Sequence, residues 1–235
     1  MSTLWAFGDS FTSVTLDENN NLGKLIKLKN NPQFKSWAQI LANNLNYELK
    51  DLGKGGNSNY QIFQDYCDNC HLINKDDIVI IGWGLLDKFR IAFNNNLVNV
   101  HPNGVNGYPN FKKESLLEII KNRNKAYMDT QYNWANEIYS WENGMMSLAK
   151  IKGYKIYFWS TEENRLIYDK PDSFKYKRNY LCPESNRMLI SYLRELGCTS
   201  IDDESNGLIG DSHFGIEGHK KQAEIFYNQI LKFNI

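Results

Sequence analysis

The chain has 235 residues, of which 42% are hydrophobic and 14% aromatic, enough to bury one sizeable core and too many for global disorder. Lys+Arg and Asp+Glu both number 27, so the formal net charge is zero. That balance argues against a nucleic acid as the main partner, because duplex binding leaves a basic excess. No stretch approaches ~18 uninterrupted apolar residues, so no membrane span is expected.

In chain order, Thr3 to Phe7 reads as a short buried strand that stops abruptly at Gly8-Asp9-Ser10, three turn formers. A polar loop containing Asn19-Asn20-Asn21 follows. From Phe34 to Leu45, Trp37, Ile40, Leu41 and Leu45 recur at helical spacing. Tyr47 to Leu52 returns to strand, and Gly53-Lys54-Gly55-Gly56-Asn57-Ser58-Asn59 makes a tight glycine loop into a helix from Tyr60 to Ile73. Asp77 to Trp83 (DIVIIGW) and Tyr154 to Ser160 (YKIYFWS) are continuous apolar strands, as expected when both faces of a sheet are covered. Residues 85–113 (with HPNGVNGYPN) show no clear period and read as an insertion near the site. One or two helices are expected across Lys113 to Lys150, a further irregular stretch across Glu162 to Lys177, a short strand at Thr199 to Ile201, and a closing amphipathic helix from Glu217 to Phe233. Strand alternating with helix predicts a single α/β domain over residues 1–235, a three-layer α/β/α sandwich with a parallel sheet of about five strands.

In such a fold, sites form outside the carboxyl ends of the strands. Three loops that follow strands, at Gly8 to Ser10, Gly53 to Asn59 and Gly82 to Asp87, are therefore expected to gather on one edge. Before the closing helix stands Gly210-Asp211-Ser212-His213-Phe214. Asp211 and His213 are two residues apart. A carboxylate there can orient an imidazole while the imidazole takes a proton from a hydroxyl. His219, four residues into DSHFGIEGH after Gly215, is read as a helix-face histidine.

Cys67-Asp68-Asn69-Cys70-His71 matches the pattern of covalent haem attachment, but the segment has helical apolar spacing and both cysteines fall on it. Zinc would need two further ligands, and Cys182 and Cys198 lack a paired spacing. All four cysteines are read as reduced and structural, with no metal. The N-terminus carries no basic region followed by an apolar run, so a cytoplasmic location is expected, with association with a virus particle as the alternative.

The set FGDSFT, the glycine loop with Asn57 and Asn59, and Asp-x-His before a last helix resembles the SGNH (GDSL-type) hydrolase superfamily along nearly the whole chain. The resemblance implies a flavodoxin-like fold and a serine esterase without metal or cofactor. By the same resemblance, Ser10 is the nucleophile and His213 the base. Asp211 orients that base, and the backbone N–H groups of Ser10 and Gly56 face the oxyanion. Two positions depart from the family pattern. Gly84 stands where the family has Asn, so a side-chain donor would come from Asn57 or Asn59, or the oxyanion would meet backbone donors alone. The acid lies one residue closer to the histidine than usual, which keeps Asp202, Asp203 and a Ser-His dyad open as alternatives. Asp9, Asn59, Trp83, Gly84 and Arg90 complete the expected substrate-facing set, with strand-end packing the equal alternative for Trp83.

The expected substrate is a small O-acyl ester, such as an O-acetyl group on a carbohydrate. A non-catalytic binding or structural module and an O-acyltransferase are the rival readings.

Overall fold

The computed structural model describes residues 1–12, 34–84, 89–93, 96–101, 104–105, 131–161, 179–181, 189–198 and 214–233, together with 115, 118–119 and 122. Its centre is a parallel sheet of four strands: β1 (Thr3–Phe7), β2 (Glu48–Asp51), β3 (Ile78–Trp83) and, far along the chain, Lys155–Ser160. Among the described residues, three further strands lie between β3 and that last one: β4 (Phe89–Phe93), β5 (Asn96–His101) and β6 (Gly104–Val105), which makes Lys155–Ser160 β7. The order across the parallel sheet is β2-β1-β3-β7. Phe158 forms a further parallel bridge to Tyr180 beyond β7. The strand expected at Thr199 to Ile201 lies outside the described residues.

Helices cover both faces. They are α1 (Trp37–Leu45), α2 (Asn59–Asn69), α3 (Gln131–Lys152), α4 (Leu189–Glu195) and α5 (Ile216–Phe233). Side chains alternate across a strand, so each central strand feeds two cores. Leu4 and Ala6 of β1, with Ile78 and Ile80 of β3, pack against Trp37 and Leu41 of α1, Leu193 of α4 and Phe226 of α5. Trp5 and Phe7, with Val79 and Ile81, pack on the other side against Ile62 and Tyr66 of α2 and Met145 and Ala149 of α3. This is the three-layer α/β/α architecture that the alternating pattern predicts.

Local chemistry sets the element ends. Ser36 caps α1 through a capping box with Gln39, each side chain bonding the other's backbone N–H. Asn46 then ends the helix in the left-handed region, at φ 56°. At the far end of the sheet, buried Asp77 accepts from Thr3 N (2.8 Å), Trp5 Nε1 (3.1 Å) and Asn74 N (2.9 Å), fastening the start of β1 to the start of β3. The cysteine pair falls on the end of α2, Cys67 in the helix and Cys70 in the short 3-10 turn Cys70–Leu72, both as free thiols.

Part of the insertion differs from its expected irregularity. Phe89–Phe93, Asn96–His101 and Gly104–Val105 form a separate antiparallel sheet in the order β4-β5-β6. The register pairs Phe89 with Val100 and Ile91 with Val98. No helix among the described residues is long and apolar enough to cross a membrane.

Candidate active site

Gly8-Asp9-Ser10 is a built turn at the tip of β1. Asp9 O accepts from Thr12 N at 3.0 Å, which closes the chain back on itself. Asp9 Oδ1 accepts from Phe11 N at 3.0 Å, an aspartate holding its own backbone turn. Ser10 sits between these two bonds and is partly exposed, while Asp9 is buried. Gly8 is required by the close return. A Cβ there would lie 1.9 Å from Thr12 Oγ1 and 3.1 Å from the Gly82 carbonyl at the end of β3.

The glycine loop lies against this turn. Asn57 N donates to Lys54 O at 3.2 Å, and Gly56 at φ 78° takes the left-handed corner of the bend. A Cβ on Gly55 would stand 3.9 Å from Ser10 Cβ. Lys54 N (3.1 Å) and Asn57 Nδ2 (3.4 Å) both donate to the Gly8 carbonyl. Asn57 Nδ2 also donates to Asp65 Oδ2 of α2 at 3.2 Å, and Gln61 Nε2 fills Asp65 Oδ1 at 2.7 Å. The Asn57 amide is thus committed to fixing the tip of β1 to α2.

The third loop begins at Gly84, and Asn59 clasps it at both ends. Gly84 N donates to Asn59 Oδ1 at 2.8 Å, and Asn59 Nδ2 donates to Gly84 O at 3.2 Å. Gly84 also abuts the turn. A Cβ on it would come within 2.7 Å of Asp9 Oδ2. A side chain at position 84 would therefore force the buried Asp9 carboxylate to shift.

The three loops therefore meet on one edge, with Asp9, Ser10, Gly56, Asn57, Asn59 and Gly84 together. Trp83 is placed otherwise. It is 1% exposed, stacked on Phe158 and tilted on Trp141, and its indole Nε1 donates to Glu142 Oε1 at 2.8 Å. Of its two expected roles, burial leaves packing. Arg90 lies in β4, opposite Asn99.

His213, Asp211, Asp202 and Asp203 lie outside the described residues. Their downstream neighbour Phe214 is buried in the same apolar cluster as Phe11, the residue after Ser10. Two hydrogen bonds tie these segments. Trp37 Nε1 donates to Phe11 O at 3.0 Å, and Trp37 N donates to His219 Nδ1 at 3.2 Å. His219 is thus a buried joint between α5 and the start of α1.

Glu142 was not singled out from sequence. It is a fully buried acid on α3 whose Oε1 accepts from both Trp83 Nε1 and the Tyr180 hydroxyl. Burial raises its carboxyl from 4.5 to about 7, against the lowering effect of those two donors. The described residues also line a cavity of about 650 Å³ between α3, the start of β7 and the end of α5. It opens at the opposite end of the strands from Ser10. Among the described residues no three His, Cys, Asp or Glu side chains group to hold a metal.

Over its whole length the chain matches the crystal structure of protein YxiM from Bacillus subtilis, with TM-score 0.53 at 13% identity. The chain shares that fold. It spans 57% of the YxiM chain. Two structures assigned to the lipolytic G-D-S-L family also match. The one from Desulfitobacterium hafniense has TM-score 0.36 at 15% identity, covering 97% of this chain and 99% of its own. The one from Veillonella parvula has TM-score 0.37 at 13% identity, covering 99% and 97%. No family model and no curated protein matches the chain.

Proposed function

We propose that the protein is a serine esterase acting on small O-acyl esters, O-acetyl groups on a carbohydrate being the expected substrate. The observation that carries this reading is the presentation of Ser10: partly exposed on a doubly bonded turn at a strand tip, with the glycine loop against its Cβ. Such fixed backbone beside a hydroxyl suits a reaction whose charge develops on an oxygen.

The Ser10 hydroxyl attacks the ester carbonyl carbon as His213 takes its proton. The backbone N–H groups of Ser10 and Gly56 receive the developing oxyanion. The alcohol leaves with the proton from His213, and water then releases the acid and restores Ser10. Asp211 orients the imidazole. The shared core of Phe11 and Phe214 and the Trp37–His219 joint support the pairing of the two halves. Removal of one oxyanion donor costs ~3 kcal/mol in comparable sites. The Asn57 and Asn59 amides already hold protein groups, so the reading assigns the oxyanion to backbone donors.

The test is acetate release from p-nitrophenyl acetate and from an O-acetylated oligosaccharide. Ser10→Ala is expected to abolish both while leaving the melting temperature unchanged. Equal rates in wild type and Ser10→Ala would refute the mechanism. A second reading, a non-catalytic binding module on the same scaffold, is favoured by Gly84, which offers no side-chain donor. Tight binding of the oligosaccharide without turnover would select it.

A further inference from the structure

We propose that Glu142 is a positioning residue for Ser10, acting through Trp83 and the tip of β3. The inference rests on the esterase reading above. It starts from a chain of contacts that ends at the nucleophile's own turn.

Glu142 Oε1 collects two buried donors, Trp83 Nε1 at 2.8 Å and the Tyr180 hydroxyl. The first fixes the side chain of the last residue of β3. The backbone carbonyl of that residue accepts from Thr161 N (3.1 Å) and Thr161 Oγ1 (3.3 Å), which joins the ends of β3 and β7. The next residue, Gly84, is clasped by Asn59 and lies against the Asp9 carboxylate. Asp9 in turn holds the bend that presents Ser10. The residues in this series are buried and close-packed, so a displacement at Trp83 is passed on toward Asp9.

A plain packing role would be met by an apolar side chain. An acid in this place, with both donors on one oxygen, sets the Trp83 ring in a single orientation. Stripping the carboxylate removes the acceptor that the buried indole N–H and the tyrosine hydroxyl share, and the Trp83 ring is no longer held by it. Small misplacements far from the reacting atoms are known to cost large factors in rate. The glutamine variant is the conservative rescue, since its amide oxygen accepts both hydrogen bonds.

The experiment measures kcat and KM with p-nitrophenyl acetate for wild type, Glu142→Ala, Glu142→Gln and Trp83→Phe, each well below its melting temperature. Glu142→Ala is expected to lose about tenfold or more in kcat with KM within about twofold, and Glu142→Gln to recover most of the loss. Trp83→Phe keeps the ring packing without the N–H and is expected to lose kcat likewise, which serves if Glu142→Ala fails to fold. The backbone amide resonances of Asp9 and Ser10 read the same displacement without turnover. They shift in Glu142→Ala and return toward wild type in Glu142→Gln. Wild-type kcat in folded Glu142→Ala or in Trp83→Phe overturns the inference. Inactive wild-type protein overturns the esterase reading instead, and the amide shifts then decide whether the positioning exists.

Discussion

Replacing Glu142 by Gln should change how stability depends on pH, and the size of the change follows from burial. The carboxyl has an ordinary value of 4.5 and is lifted to about 7 in the folded protein, because burial penalises its charge more than Tyr180 and Trp83 relieve it. A raised value means that the folded state holds its proton where the unfolded state has lost it. Its contribution to stability is therefore fully present below about pH 4.5 and is lost as pH rises to about 7, beyond which it is flat. At ~1.4 kcal/mol per pH unit, that window is worth about 3 kcal/mol. Glutamine does not titrate, so the variant lacks this slope. Urea unfolding followed by circular dichroism at pH 4.5, 5.5, 6.5 and 7.5 reads the difference between the two proteins, in which all other titrations cancel ~ to within a few tenths of a kcal/mol. The variant should gain about 3 kcal/mol on wild type across the range. Parallel curves would refute the argument, since they would mean that Glu142 ionises in the fold as freely as in water.

Three other substitutions separate the site from its support. Gly84→Ala places a methyl 2.7 Å from Asp9 Oδ2 and should cost ~1–3 kcal/mol in urea unfolding together with Ser10 reactivity; an unchanged midpoint would refute the close contact. Gly56→Ala forces an L side chain to φ 78° and should cost about 1–2 kcal/mol by the same assay. Asp77→Asn replaces one accepting carboxylate oxygen by an amide donor, which then faces Thr3 N, or Trp5 Nε1 and Asn74 N, at the far end of the strands. It should lower stability by ~2–3 kcal/mol with kcat unchanged, and a matching loss of kcat would mean that the two ends of the sheet are coupled.

The strands were legible because β1, β3 and β7 are apolar on both faces, a signal that needs no long-range knowledge. So was the meeting of three loops on one edge, which follows from parallel topology alone. The antiparallel sheet of β4 to β6 was not. Asn96 reads as a loop residue although it begins β5, and polar Asn99 and His101 interrupt the apolar pattern. Glu142 was hidden for a different reason. It stands between Trp141 and Asn143 on α3, and its burial and its two donors, Trp83, 59 positions away, and Tyr180, 38 away, arise only in the fold. The roles of Asn57 and Asn59 were likewise undecided. Sequence places an amide near the site but not its partners, and here those partners are Gly8, Asp65 and Gly84. Gly84 itself was visible as a departure, while its closeness to the Asp9 carboxylate needed three dimensions.

The central claim is that Ser10 is an activated nucleophile. Labelling with a small fluorophosphonate, read by intact mass, tests it most directly. One adduct per chain is expected, absent in Ser10→Ala and in His213→Ala. Folded wild-type protein that takes no adduct, or takes one equally without Ser10, would contradict the claim.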